Sequence, residues 1–284
     1  MDPDPLASAD TITLLRGFSA VVDTNRIFGH YEVAFNEGSS SYHALQTKLE
    51  KRFSNGLYFL NSFAWSKAID IAPSNMEAAT GDNYYLNFRN WGSNKGISNY
   101  DQPFQNTTSF FWDLPVGKNR KFGAQLPAFG DLVLGGWRFT GINTMTSGLP
   151  INFTYTPSTA ASVSSLPVYR PNLIGNPFLP DSQRTVNQYF NASALAVPDI
   201  SLPFGTAGRN IGRSDGTYQL DLGIQKSFNL ASEGRRLEFR AEMFNALNKT
   251  NFQAPASNIS NSTFGKITAT FPARQVQLAL KLSF

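Results

Sequence analysis

The sequence predicts an all-β fold: antiparallel transmembrane strands forming part of a β-barrel, about seven or eight strands of a larger ring, with long extracellular loops. Three observations predict it. Residues 273–284 (ARQVQLALKLSF) place Val276, Leu278, Leu280, Leu282 and Phe284 at every second position, with mostly polar residues between them. Only 15% of the 284 residues are charged, against a usual ~25%, while 13% are aromatic. The connections between candidate strands also alternate between short and long.

Alternation along a strand sends successive side chains to opposite faces, here one apolar and one polar. A soluble antiparallel sheet can alternate in the same way. The pattern alone therefore leaves a soluble β-sandwich open. The aromatic last residue is less ordinary, because a soluble chain tends to end on a frayed polar tail.

Taken in order, residues 1–40 read as a lead-in with one possible strand at 11–15 and a modest strand candidate at 28–36. Residues 42–53 (YHALQTKLEKRF) set His43, Leu45, Thr47 and Leu49 against Gln46, Lys48, Glu50 and Arg52. The SNG at 54–56 is a tight-turn signal, and the aromatic run 57–65 (LYFLNSFAW) completes a hairpin. Residues 70–105 form a long loop rich in Gly and Asn. A strand at 107–114 and a medium connection at 115–131 follow. Residues 132–146 (LVLGGWRFTGINTMT) read as one strand whose glycines blur its two faces.

Residues 147–216 are read as a long irregular stretch, suspect in a compact soluble domain but ordinary in the outer loops of a barrel. Residues 218–228 alternate cleanly, with Tyr218, Leu220, Leu222 and Ile224 on one side. Residues 237–245 set Leu237, Phe239, Ala241 and Met243 opposite Glu238, Arg240 and Glu242. A loop at 248–272 leads to the last strand.

If Phe284 lies on the periplasmic side, every long connection falls outside and every shorter one inside. Barrels sort their loops this way and sandwiches have no reason to. Lipid on the apolar face forces the strands to pair edge to edge and close. About seven strands of a larger ring would leave two free edges, so the isolated chain is expected to aggregate or to curl into a small closed barrel.

The remaining composition mainly excludes. No run of about 18 apolar residues offers a transmembrane helix. Cysteine is absent, which removes thiolate catalysis and cysteine metal sites and fits an oxidising compartment. The net charge of +4 is spread along the chain, with no basic run suited to nucleic acid. Residues 1–10 (MDPDPLASAD) lack a basic segment followed by an apolar one, so no secretory signal is read there. An exported barrel needs one, and the chain is therefore expected to be the carboxy-terminal piece of a longer protein.

Several ordered blocks carry a family resemblance. SYHALQ (41–46), KRF (51–53), WSKAID (65–70), WDLPVG (112–117), GGWRFTGINTMTSGLP (135–150), YFNASALAVP (189–198), GTAGRNI (205–211), RAEMFNALN (240–248) and QVQLALKLSF (275–284) follow one another along residues 41–284. In number, order and spacing they resemble TonB-dependent receptors of the Oar-like group, whose amino-terminal part carries a carboxypeptidase-regulatory-like domain. The resemblance implies the carboxy-terminal third of a plugged barrel of about 22 strands. It implies substrate binding and uptake at the outer membrane of a Gram-negative-type bacterium. The plug and TonB-coupling segment would lie outside these residues. The implied partners are outer-membrane lipid, the barrel-assembly machinery and the remaining strands and plug. TonB would be engaged only through missing amino-terminal sequence. The chain departs from relatives at 99–106 (NYDQPFQN), where an acidic and basic run is usual.

Candidate functional residues follow. Lys48, Glu50, Arg52, Glu238, Arg240 and Glu242 are read as lumen-facing charges able to pair across strands. Tyr84, Tyr85, Arg89 and Trp91 are candidate ligand contacts in the outer loop, with a girdle or packing role as the plainer reading. Leu278, Leu280, Leu282 and Phe284 resemble the family's terminal assembly signal. No enzyme, cofactor or metal site is expected. His30 and His43 lack metal-ligand spacing, and GTAGRNIG (205–212) reads as a loop turn rather than a phosphate loop. A soluble β-sandwich or adhesin-like surface module remains the alternative.

Overall fold

Every-other-residue sorting becomes a single wall of antiparallel strands. The structure, a computed structural model, describes residues 10–14, 18–22, 39–53, 56–71, 90–157, 168–199, 204–229 and 236–284. Strands β1 (Asp10–Leu14) and β2 (Phe18–Val22) pair antiparallel as a separate hairpin. β1 meets the expected strand at 11–15, β2 was not anticipated, and the candidate at 28–36 lies outside the described residues.

The main sheet opens with β3 (Ser40–Arg52) and β4 (Leu57–Asp70), to whose far end the short β5 (Gly96–Ile97) pairs. β6 (Phe104–Asp113) and, after helix α1 (Ala128–Leu134), β7 (Trp137–Thr146) follow. Four short strands lie in the next connection: β8 (Pro150–Ile151), β9 (Asn172–Leu173), β10 (Leu195–Ala196) and β11 (Gly212–Arg213). Then come β12 (Thr217–Asn229), β13 (Arg236–Phe244) and β14 (Gln275–Ser283). The order across the sheet is β14-β13-β12-β7-β6-β4-β3. Every long strand is hydrogen-bonded to its neighbour in sequence.

Residues 132–146 are not one strand. Leu132, Val133 and Leu134 end helix α1, and the strand starts at Trp137. Gly136, at φ +72°, turns the chain between them, a conformation that costs glycine little.

Residues directly opposite each other share a face. One row runs Arg52, Tyr58, Phe111, Thr140, Gly223, Glu242, Gln277. An adjacent row on the opposite face runs Leu57, Trp112, Phe139, Ile224, Ala241, Leu278. The register also assigns the faces of β7 that its glycines had obscured. Gly141 lies on the apolar face, where a Cβ would come within 2.4 Å of the Phe110 ring. The glycine makes room for an aromatic neighbour.

Among the described residues, no second sheet covers the apolar face. Leu278 and Leu280 are 67% and 68% exposed, and Leu45, Leu49 and Trp65 are also exposed. In a sandwich these rows would face a dry interior. The wall is open: β3 and β14 each have one edge without a partner strand among the described residues. The expected curling into a small closed barrel is therefore not what these strands do.

One polar island interrupts the apolar face. Asn61 Nδ2 donates to Asn106 Oδ1 and to Thr108 Oγ1, both at 2.8 Å. Asn143 lies opposite Thr108 in the same row, its buried Oδ1 without a hydrogen-bond partner among the described residues; the pairing is among Asn61, Asn106 and Thr108. Internal pairing lowers the cost of amides on an apolar surface.

The connections sort by length as expected. Those joining β3–β4, β6–β7 and β12–β13 are short or medium and lie at one end. Those joining β4–β6, β7–β12 and β13–β14 are long and lie at the other.

Candidate functional site

The long-connection end is where the chain's buried core sits. Within the stretch 147–216, expected to be irregular, the described residues 147–157, 168–199 and 204–216 fold with the β13–β14 connection into a cap. Ile151, Phe153, Tyr189, Phe190 and Leu195 are buried together, with Ile211, Ile259, Phe264 and Ile267 packed against them. The Phe153 and Phe190 rings meet edge to face at 4.8 Å, a favoured aromatic geometry. β8 pairs with β11 and β9 with β10. Ile259 N donates to Thr154 O and Tyr189 N to Gly265 O, both at 2.8 Å. The buried backbone of these loops thus finds partners without regular sheet. Gly205 is required by close approach: a Cβ there would lie 2.0 Å from Arg170 O and 2.2 Å from Pro171 O.

The GTAGRNI block is not a simple turn. It supplies two of the three side chains that lock the cap to the wall. Arg209 is fully buried, and its Nη2 donates to Asp70 O at 2.9 Å, to Gly96 O at 3.2 Å and to the Asp70 carboxylate. Asp70 is the last residue of β4. Asn210 Nδ2 donates to Ile97 O at 2.7 Å and to Asn99 Oδ1 at 2.6 Å. Arg213, just beyond the block, donates through Nη1 to Asp101 O at 3.0 Å and Gly148 O at 2.7 Å. Its Nη2 reaches Asp101 Oδ2 at 2.6 Å.

Asp101 is a hub. Its carboxylate is buried and accepts from Ala68 N at 2.7 Å, pairs with Arg213, and lies 3.8 Å from Lys67 Nζ. It falls in the segment 99–106 (NYDQPFQN). The latch therefore ties the β4–β6 and β7–β12 connections to the rim of the wall.

A second set of side chains ties down the β13–β14 connection. Asn251 Nδ2 donates to Tyr218 O at 2.9 Å, and Asn251 Oδ1 accepts from Tyr218 N at 2.9 Å. The amide completes β12 where β13 no longer runs beside it. Asn245, at φ +49°, donates its backbone N–H to Asp221 Oδ1 at 2.8 Å and Nδ2 to Lys249 O at 2.9 Å. Tyr189 Oη donates to Asp215 Oδ1 at 2.7 Å. Burial and then that hydrogen bond hold the Tyr189 phenol protonated well above the ordinary tyrosine range.

The six charges expected to face the lumen all lie on the polar face. Their ion pairs differ from the expected cross-strand pairing: they run along single strands. Lys48 Nζ is 3.1 Å from Glu50, Arg52 is 3.9 Å from Glu50, and Arg240 pairs with Glu238. The cross-strand pair is a different one, Arg138 to Asp113, bidentate at 2.5 and 2.9 Å. Tyr58 and Phe111 stack at 5.0 Å on this face, with Arg52 over the first ring and Arg138 over the second. This face sets charged side chains beside planar rings.

Of the candidate ligand-contacting residues, Tyr84, Tyr85 and Arg89 lie outside the described residues, and Trp91 begins a 3-10 turn, Trp91–Asn94. Leu278, Leu280 and Leu282 line the apolar face of β14, one of the two edge strands among the described residues. Phe284 follows it, 94% exposed. Among the described residues, no group of three or more His, Asp or Glu side chains converges as a metal site would.

Comparison with known proteins agrees with this architecture. The model of a family described as outer membrane beta barrel domain matches residues 5–277. No curated protein and no solved structure matches the chain. The match covers nearly the whole chain, and with one exposed apolar face, one polar face and long connections gathered at one end, this chain belongs to the outer membrane β-barrel domain family.

Proposed function

We propose that this chain forms the carboxy-terminal part of the barrel of a TonB-dependent receptor of the Oar-like kind, which binds a substrate at its outer mouth and takes it up across the outer membrane. In this reading the chain is not an enzyme. It contributes wall, polar lining and outer cap, with the plug and energy-coupling segment supplied from elsewhere in the full receptor. The long connections face outward and the short ones face the periplasm.

One observation carries the reading. Blocks that resemble the receptor family separately in sequence meet in space: WSKAID supplies Asp70, GTAGRNI supplies Arg209 and Asn210, and YFNASALAVP supplies Tyr189, Phe190 and Leu195 of the core. In this reading they build a packed cap at the outer end of the polar-faced wall, where capture at the surface would occur. The open edges of β3 and β14 support it too. Unpaired backbone in hydrocarbon costs several kcal/mol per group, a cost that further strands of the full receptor would remove.

The test is cross-linking of the full receptor to TonB in intact cells, followed by membrane fractionation. The proposal expects outer-membrane recovery and a TonB adduct that depends on the receptor's amino-terminal segment. Outer-membrane recovery with no adduct would leave a barrel that is not TonB-dependent. Recovery in the soluble fraction would remove the transport reading altogether.

A further inference from the structure

Helix α1 presents an unusual surface at the short-connection end. Phe129 is 77% exposed, and Leu132, Val133 and Leu134 are each about half exposed, as is Phe122 before the helix. The same connection carries Lys118, Arg120 and Lys121, all exposed. An apolar cluster beside three cations is costly in water and suited to a membrane surface.

Two contacts fix where the helix lies. Trp137 Nε1 donates to Val133 O at 2.9 Å. Lys226 Nζ donates to Val133 O at 3.1 Å and to Gly135 O. Trp137 and Lys226 sit opposite each other, and their row continues to Phe239 and Leu280 on the apolar face. The helix is thus fastened to the lipid-facing side of the wall, not to its polar side. This also accounts for a lysine in an otherwise apolar row. Lys226 is only 4% exposed, its ammonium lies 4.8 Å from the Trp137 ring centre and 5.1 Å from that of Phe228, and it binds the carbonyls at the end of α1.

We propose that α1 is an interfacial anchor, with Phe129, Leu132 and Val133 immersed in the periplasmic leaflet of the outer membrane. Lys118, Arg120 and Lys121 bind the anionic headgroups of its phospholipids. The surface is continuous with the lipid-facing wall, and its charge is complementary to that leaflet. The proposal rests on the outer-membrane barrel and on the short connections facing the periplasm.

The chain lacks cysteine, so Phe129→Cys takes a single fluorescent label. The full chain carrying it is reconstituted with spin-labelled phosphatidylglycerol or spin-labelled phosphatidylcholine as quencher, and Leu278→Cys serves as the wall control. The label at 129 should be quenched about as strongly as that at 278, and more by phosphatidylglycerol. Lys118→Gln/Arg120→Gln/Lys121→Gln should abolish that preference, each lysine or arginine near the surface being worth on the order of fivefold. Quenching at 278 without quenching at 129 would overturn the anchor while leaving the barrel standing. Equal quenching by both lipids, unchanged in the triple variant, would overturn the headgroup assignment. Loss of quenching at both positions would remove the barrel and the anchor together.

Discussion

Arg209 and Asp70 are 139 residues apart in the chain, yet the Arg209 guanidinium donates to both the carboxylate and the backbone carbonyl of Asp70 in a fully buried contact. Asp70 ends a wall strand and Arg209 belongs to the cap, so this pair is the joint between them. Asp70 Oδ2 and Arg209 Nε and Nη1 have no partner among the described residues.

Removing one member strands a buried charge. Arg209→Met should destabilise the cap by about 3–5 kcal/mol, whereas Asp70→Asn/Arg209→Met should cost clearly less. Limited proteolysis of the cap loops in the detergent-solubilised chain reads this directly. Equal protease sensitivity of the single and double variants would show that the joint is not electrostatic.

The cap has its own core, so it can fail without the wall. Phe153→Ala should cost about 3–5 kcal/mol by leaving a cavity among Phe190, Phe264 and Ile211. Hydrogen exchange should rise in residues 147–216 and 245–274 while β6, β7 and β12 stay protected. Uniform loosening of strands and loops would mean that cap and wall are one cooperative unit.

Tyr189 gives the cap a sign in pH. Its phenol is held protonated above the ordinary tyrosine range by burial first and the Asp215 hydrogen bond second. A raised value in the folded state favours the protonated form. The contribution is therefore complete below about pH 10, the unfolded value, and is lost as pH climbs through the higher folded value. Loop exchange should accelerate in that alkaline window, and Tyr189→Phe should flatten the rise. An identical alkaline profile in Tyr189→Phe would assign the effect to other groups.

On the apolar face, Asn61 satisfies both Asn106 and Thr108. Asn61→Leu strips both of their partner and should destabilise the wall by about 1–3 kcal/mol per stranded group, while Asn61→Leu/Asn106→Leu/Thr108→Val should be closer to neutral. Denaturant unfolding in lipid vesicles separates the two. A triple variant less stable than the single would mean that the island is needed for something other than self-pairing.

The wall was legible because a period of two survives in single strands. β13 and β14 each carry an unbroken apolar row, that of β12 is interrupted only by Lys226, and the charges of β3 and β13 fall on the face that the alternation gives them. β7 was not legible, because Gly141 fills an apolar position whose occupant is the Phe110 ring from the next strand. The end of α1 was read as strand because Leu132–Leu134 is too short for helical periodicity to show. The cap was missed for a different reason. Its attachment to the wall comes from Arg209, Asn210 and Arg213 meeting Asp70, Ile97 and Asp101 across more than 100 residues, and no local pattern records that. A usable signal was present: Arg and Asn set among glycines in GTAGRNIG, in a chain otherwise poor in charge.

The account depends on β12 showing lipid one side chain row and water the other. Single spin labels at Leu220, Leu222 and Ile224, and at Gln219, Asp221 and Gln225, of the membrane-reconstituted chain measure this by collision with oxygen or with a water-soluble nickel chelate. The first row should favour oxygen and the second should favour the chelate, alternating residue by residue. Labels at Leu220, Leu222 and Ile224 shielded from both reagents would put those side chains in a dry protein interior and contradict the membrane wall.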